Sequence, residues 1–309
     1  METKLFIERW RKALSAYGTP KDFADFSVAQ TISSPCADDV PFTVIIAPGY
    51  ASRRQLMEKQ RADADNRIGN PPRWKNDGVS CFLCDNVGQA QDIGDNALLP
   101  FSTFSDYVLM PNRYPGMVGD SLLCTKRHVD LNSNLPSDYL ATAVELAEKH
   151  KFIFLRNHPR AGMSIPDHDH LQLKPEGILE TPFSRIEECG LIQVPFGRET
   201  YSVSRTRFDT LAIKGKTAVD EVARLTKNLS AGNEIFTFYY APDNFTRDAG
   251  TFYVSPHSRQ DAQRRVGAGA PLFMDVRAKF ATELYEDLLA VPEQFLYKKG
   301  TFNWGKFFR

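Results

Sequence analysis

Ser164-Ile165-Pro166-Asp167-His168-Asp169-His170-Leu171-Gln172-Leu173-Lys174 is the stretch from which the fold is read. Its second half alternates, and in an extended chain successive side chains point to opposite faces. His168, His170, Gln172 and Lys174 then share one face, while Asp169, Leu171 and Leu173 share the other. The leucines predict a core on their side. Two imidazoles, an amide and an ammonium fill a core badly but make a wall suited to a phosphate. Imidazole serves as a metal ligand or a nucleophile near neutral pH. The amide donates to phosphoryl oxygens and the lysine offsets their charge. Asp169, on a regular strand, faces away from that wall. A solvated strand with one stray histidine is commonplace; His-x-His-x-Gln directly after the small-residue turn Ala161-Gly162-Met163-Ser164 is better read as a site.

Working back along the chain, Cys81-Phe82-Leu83-Cys84 has the spacing at which two thiolates reach one tetrahedral zinc. Alone, the motif also fits a redox pair or two buried thiols. A redox pair usually opens a helix after a strand, whereas here turn formers precede the motif and Asp85-Asn86-Val87-Gly88 follows it, which suits a metal knuckle better. Two further ligands are required. Ser121–Thr125 reads as a strand that delivers His128 beyond its end. Pro136–Lys151 reads as a helix with Leu140, Val144, Leu146 and Ala147 as its buried stripe. Phe152–Leu155 is a strand leading into Arg156-Asn157-His158. With one or two strands within residues 98–110, residues 98–175 therefore read as strand, strand, helix, strand, strand: an α+β unit with an antiparallel sheet covered by a helix.

Outside that unit, residues 2–16 form an amphipathic helix through Leu5, Phe6, Trp10 and Leu14. Pro41–Pro48 reads as a strand, 53–65 as a polar helix and 69–78 as a loop. After Glu180 the pattern weakly recurs: strands within 191–206, a helix over 217–229, and strands at 234–240 and 251–254. A helix is predicted over Pro271–Leu289 from the spacing of Phe273, Val276, Phe280, Leu284 and Leu288. The expected organisation is a catalytic half, residues 1–180, and a diverged second half, 181–309, that lacks a His-x-His. The aromatic, basic tail 298–309 is expected to pack back on the body.

The 38 basic and 38 acidic residues cancel, so overall charge supplies no pull toward nucleic acid or a membrane surface. No apolar run is long enough to span a bilayer. Five cysteines, few and odd in number, point to a reducing, cytoplasmic setting rather than a disulfide framework.

The ordered set of CxxC, a lone histidine, Asn, Ser and His-x-His-x-Gln resembles galactose-1-phosphate uridylyltransferase and its relatives. These form the nucleotidyltransferase branch of the histidine-triad superfamily, which also holds diadenosine-tetraphosphate and nucleotide-sugar phosphorylases. The resemblance covers roughly residues 80–175. It implies a histidine-triad-like antiparallel sheet with covering helices, in two halves. It implies that Cys81, Cys84, His128 and His168 hold a structural zinc ion. His170 is then the nucleophile that takes the nucleotidyl group, and Gln172 the amide that holds the phosphoryl oxygens. Asn157 and Ser164 would line the phosphate pocket, with Lys174 as a further donor, and Phe82, Leu83 and Asn112 would contact base or ribose. The implied partners are a small-molecule nucleotide and a phosphate or sugar-phosphate acceptor, with a homodimer as one option for assembly. The implied reaction moves a nucleoside monophosphate from a nucleotide sugar or dinucleoside polyphosphate through a covalent His170 adduct. A hydrolase of the same superfamily, or a non-catalytic zinc-stapled nucleotide-binding protein, are the competing readings; Gln172 in place of a third histidine weighs against the first.

Overall fold

The structure, a computed structural model, describes residues 3–16, 31–33, 43–47, 81, 83–84, 106–112, 115, 118–128, 135–158, 168–175, 191–196, 199–204, 209–214, 218–242, 250–257, 273–277 and 301–308. Its centre is a nine-stranded antiparallel sheet. In chain order the strands are β3 (Tyr107–Pro111), β4 (Ser121–Thr125), β5 (Phe152–Asn157), β6 (His170–Pro175), β7 (Leu191–Phe196), β8 (Glu199–Ser204), β9 (Leu211–Lys214), β10 (Ile235–Ala241) and β11 (Thr251–His257). In space they run β3-β4-β6-β5-β10-β11-β9-β8-β7. Among the described residues the long helices are α1 (Thr3–Ala16), α2 (Ser137–His150) and α3 (Ala218–Ala231).

The spatial order contains a repeat. The first half is strand, strand, helix, strand, strand (β3, β4, α2, β5, β6), and β8, β9, α3, β10, β11 repeat it. Each half places its fourth strand between its second and third. The two meet where β5 pairs antiparallel with β10, Asn157 opposite Thr237 and Phe154 opposite Tyr240. The fold is thus α+β with two histidine-triad-like halves in one continuous sheet, as the sequence led us to expect. Prolines mark its two edges, Pro111 in β3 and Pro195 in β7, where a missing N–H leaves no inner ladder broken.

Both crossover helices begin and end for local reasons. Pro136, in an extended conformation, precedes α2; Asp138 in the first turn and Lys149 and His150 in the last complement its dipole. Lys151 closes it in the left-handed conformation (φ 56°), returning its N–H to Ala147 O. Tyr139, Leu140, Ala143, Leu146 and Ala147 form the buried stripe, with Val144 at its margin. In α3 the stripe is Val222, Leu225, Thr226 and Leu229, and Asn233 (φ 60°) turns the chain out. These stripes, with Phe6, Trp10 and Leu14 of α1, meet Leu123, Phe152, Phe154, Leu171, Leu173, Phe236, Phe238 and Phe252 in one core on one face of the sheet. The tail joins it: Phe302, Trp304 and Phe307 are buried, and the Thr301 and Phe302 amides donate to Asp209 Oδ2 at 3.0 and 2.7 Å.

A second, three-stranded sheet has the order β1 (Thr31–Ser33), β2 (Thr43–Ala47), β12 (Phe273–Arg277), with β2 and β12 parallel. It corrects the helix expected over Pro271–Leu289: Phe273–Arg277 is a strand. That spacing rested on residues 273–288, but the first five pair in parallel with β2, and a long-range ladder overrides a helical period read locally. The remainder of that expectation, the polar helix at 53–65 and the loop at 69–78 lie outside the described residues.

Candidate active site and metal centre

The face of the sheet turned away from α2 and α3 carries the alternating motif. Leu171 and Leu173 are fully buried in the core, which sends His170, Gln172 and Lys174 to the opposite face. In register, β4 sets Cys124 opposite His170 and Leu122 opposite Gln172. On the other side Leu155 stands opposite Gln172, and the same register, continued, brings Asn157 across from His170. Thr237 of β10 donates to Asn157 Oδ1 at 3.1 Å, and at the same level on β11 Ser255 pairs with Thr210 (Oγ–Oγ1 2.9 Å). A row of buried polar groups therefore crosses the sheet from His170 into the second half. Gln172 alone in β6 is part-exposed, which makes it the point where this face opens.

At the start of β6 the four ligand atoms of Cys81, Cys84, His128 and His168 lie within 4.8 Å of one another. His168 Nδ1 is 3.4 Å from each of the two sulfurs, and His128 Nδ1 is 3.5 Å from that of Cys84. Bond lengths of about 2.3 Å to sulfur and about 2.0–2.1 Å to nitrogen give a tetrahedral S···N edge of about 3.6 Å, close to these spacings. The tautomer agrees. Nε2 of His168 lies 3.1 Å from the carbonyl oxygen of Thr125, which only accepts, so Nε2 carries the proton and the Nδ1 lone pair faces the sulfurs. Thr125 Oγ1 approaches the same nitrogen at 3.1 Å. Cys81 by itself is pushed up to about 11, by its hydrogen bond with Cys84 first and burial second, with His128 and His168 opposing. The donor set, two thiols and two imidazoles, could hold a tetrahedral metal ion.

His170 follows two residues later. Its Nδ1 is 2.8 Å from the carbonyl oxygen of His168. The carbonyl accepts, so Nδ1 carries the proton and Nε2 presents a lone pair. Burial brings its pKa down to about 4, against the His168 carbonyl, which raises it. The imidazole is therefore neutral across the physiological range, as a nucleophile requires.

Asp169 lies on the opposite face, as regular alternation predicts, with its Oδ1 3.2 Å from Arg156 Nε; both residues are buried. Lys174 and Asn112 are drawn together elsewhere. Lys174 Nζ is 3.7 Å from Asp120 Oδ2, and Asn112 Nδ2 donates to the same oxygen at 3.1 Å. Lys174 is four residues along the strand from His170, about 13 Å at strand rise. The expected phosphate donor and the expected base or ribose contact are thus both tied to one buried carboxylate. Trp10 Nε1, donating to Asp120 O at 2.9 Å, anchors α1 at the same point. Leu83 is fully buried between the two cysteines. Phe82 and Ser164 lie outside the described residues.

Sequence reasoning missed Thr125, Arg156, Asp120 and Thr237. For Arg156 a signal existed: in Phe152-Ile-Phe-Leu-Arg-Asn157 it falls on the face of Phe152 and Phe154, and a charge there needs a buried partner.

Over nearly the whole of both chains, the structure is similar to yeast Ap4A phosphorylase Apa2. Against its complex with Ap4A the TM-score is 0.57 at 16% identity, covering 95% of this chain and 96% of that one. Against its complex with AMP the TM-score is 0.54 at 17% identity, covering 94% and 91%. The chain has the fold of an Ap4A phosphorylase. A uridylyltransferase structure aligns less completely, with a TM-score of 0.33 at 17% identity over 51% of this chain and 75% of that one. No protein-family model matches the sequence, and no curated protein matches it. Among the described residues no helix is long and apolar enough to cross a membrane.

Proposed function

We propose that the protein is a nucleotidyl-transferring phosphorylase that acts on a dinucleoside polyphosphate, moving a nucleoside monophosphate to inorganic phosphate through His170. The observation that carries this reading is the fixed tautomer of His170: Nδ1–H is committed to the His168 carbonyl and the Nε2 lone pair is held ready. The fold, shared with an Ap4A phosphorylase along nearly its full length, supports the choice of substrate class.

In the first step Nε2 attacks the α-phosphorus, the bond from that phosphorus to its bridging oxygen breaks, and the remaining nucleoside polyphosphate leaves with the electron pair. In the second, a phosphate oxygen attacks the same phosphorus and the P–N bond breaks, giving a nucleoside diphosphate and free His170. Gln172 is proposed to donate its amide N–H to the phosphoryl oxygens, and Asn157 to line the same pocket together with Ser164. The buried Leu83, with Phe82, is proposed to lie near the nucleoside. Lys174 and Asn112 are proposed to act indirectly, through Asp120, by holding the ends of β6 and β3. Cys81, Cys84, His128 and His168 would hold zinc, which on this donor set supplies a rigid staple at the start of β6. Residues 1–180 are proposed as the catalytic half and 181–309 as the half that completes the substrate site.

The test is incubation with Ap4A carrying ³²P at the α-position, followed by acid and base treatment of the denatured protein. The reading expects acid-labile, base-stable label in the wild type and none in His170→Gly. UDP-, GDP- and ADP-sugars as parallel donors separate a dinucleotide from a nucleotide-sugar substrate. Turnover retained in His170→Gly overturns the assignment.

A further inference from the structure

We propose that the buried Arg156–Asp169 ion pair is a positioning device for His170: it holds the one peptide unit whose carbonyl fixes the tautomer of that imidazole. The inference rests on the reading of His170 as nucleophile, and adds residues on the far face of the sheet that touch no substrate.

The carbonyl oxygen that accepts the Nδ1 proton of His170 belongs to His168, 2.8 Å away. That oxygen lies in the planar unit joining His168 to Asp169, and the Cα of Asp169 is an atom of the same plane. Any tilt of the plane moves the oxygen away from Nδ1. One end of the plane is held by His168, whose ring is fixed between the two sulfurs and Thr125. The other end is held by Asp169, whose carboxylate is fully buried and meets Arg156 Nε at 3.2 Å.

The strand pairing explains why such a tie is needed here. On one side His170 is in register with Cys124 of β4. On the other, the ladder between β5 and β6 ends at Leu155 opposite Gln172, two residues short of His170. Past Leu155, β5 is paired only on its other edge, with β10, where Arg156 stands opposite Phe238 and Asn157 opposite Thr237. Between β5 and the His168–His170 segment the ion pair replaces the missing ladder. Its two members come from the core-facing rows of their strands, next to Phe154 and Leu171, where a charge without a partner is costly. The pair faces the helices and not the nucleotide-binding wall, so its charge is not available to bind phosphate.

Two readouts separate positioning from general stability. The double variant Arg156→Met/Asp169→Leu removes both charges at nearly constant volume. In ¹⁵N-histidine-labelled metal-loaded protein, the wild type is expected to show His170 as the Nδ1–H tautomer alone and the double variant a mixture with Nε2–H. In single-turnover labelling with α-labelled Ap4A, the double variant is expected to form the adduct at least about tenfold more slowly, since a misplaced reacting group loses rate before it loses binding. Nucleotide affinity should stay within about twofold. Arg156→Lys, which keeps the charge, should restore the rate to within about threefold of wild type. If the double variant does not fold, Asp169→Glu carries the test: a carboxylate displaced by one methylene should slow adduct formation with affinity unchanged. A wild-type tautomer and rate in the folded double variant, or a wild-type rate in Asp169→Glu when the double variant is unfolded, overturns the proposal. Absence of any adduct in the wild type would instead overturn the function proposed above, while the tautomer measurement would still decide the role of the pair.

Discussion

The carbonyl oxygen of Thr125 sits 3.1 Å from Nε2 of His168, on the opposite side of the ring from the two cysteine sulfurs. A backbone group thus sets the orientation of a proposed metal ligand, with the threonine hydroxyl as a second contact at 3.1 Å. Thr125→Val keeps the carbonyl and is expected to lower zinc affinity by less than about tenfold, the small end of the range for such outer contacts. Cys81→Ser removes a ligand and should abolish stoichiometric zinc and lower the melting temperature. Elemental analysis of the purified variants, paired with thermal melts, checks both.

Gln172 stands two residues beyond His170 on the same face and is the part-exposed position of its strand. Gln172→Glu keeps the shape but, on the proposed role, exchanges an N–H donor for a carboxylate facing the phosphoryl group. Loss of one positioned donor in such a site costs about 10²–10³ in kcat. Steady-state phosphorolysis should show a loss of at least that size; an unchanged kcat would remove Gln172 from the reaction.

His257 is buried on β11, and burial brings its pKa down to about 3 from an ordinary 6.5. The unfolded chain then binds a proton between those values that the folded chain refuses. Stability is full above about pH 6.5 and falls as pH drops toward 3, by up to about 1.4 kcal/mol per pH unit for each such group. His170, at about 4, adds to the same slope over pH 6.5 to 4. Urea denaturation at stepped pH should show this decline, and His257→Gln should make it shallower.

The N–H of Gly250 donates to the Tyr240 hydroxyl at 2.9 Å and to Glu148 Oε1 at 3.2 Å, joining α2 of one half to β10 and β11 of the other. A Cβ on Gly250 would come within 2.2 Å of Ala241 O and 2.8 Å of Pro242 Cα, both backbone atoms that cannot easily yield. Gly250→Ala is therefore expected to destabilise by about 1–3 kcal/mol or more. Gly305→Ala, whose Cβ would meet only Asn303 Oδ1 at 3.3 Å, is the near-neutral comparison. Chemical denaturation of the pair measures the difference.

The first half was legible in the sequence because each of its elements declares itself locally. Leu171 and Leu173 alternate with the histidines, Pro136 and Lys151 bracket α2, and the apolar run of β5 follows at once. The four-residue cluster was legible through the family resemblance, since the chain separates Cys81 from His168 by 87 positions. What escaped was decided by contacts between distant segments. Phe273–Arg277 became a strand because β2 was available beside it, and nothing within its own residues announces that. Lys174 looked like a phosphate ligand because alternation assigned its face correctly, yet alternation says nothing of Asp120 at the head of a neighbouring strand. Arg156 and Asp169 each fall on the apolar row of their strands in the sequence, but pairing them needed the sheet order that sets β5 beside β6.

The seam between β5 and β10 has a consequence for any attempt to divide the molecule. A fragment ending near residue 180 would bare the outer side of β5, with its backbone donors and acceptors unspoken for and its apolar underside flanking them. Because both halves arrange their strands in the same order around that seam, a second fragment could dock there in the orientation that β10 now occupies. Such a truncation would be recovered as self-associated pairs or as aggregate, and a size measurement on it would describe the cut rather than the native assembly.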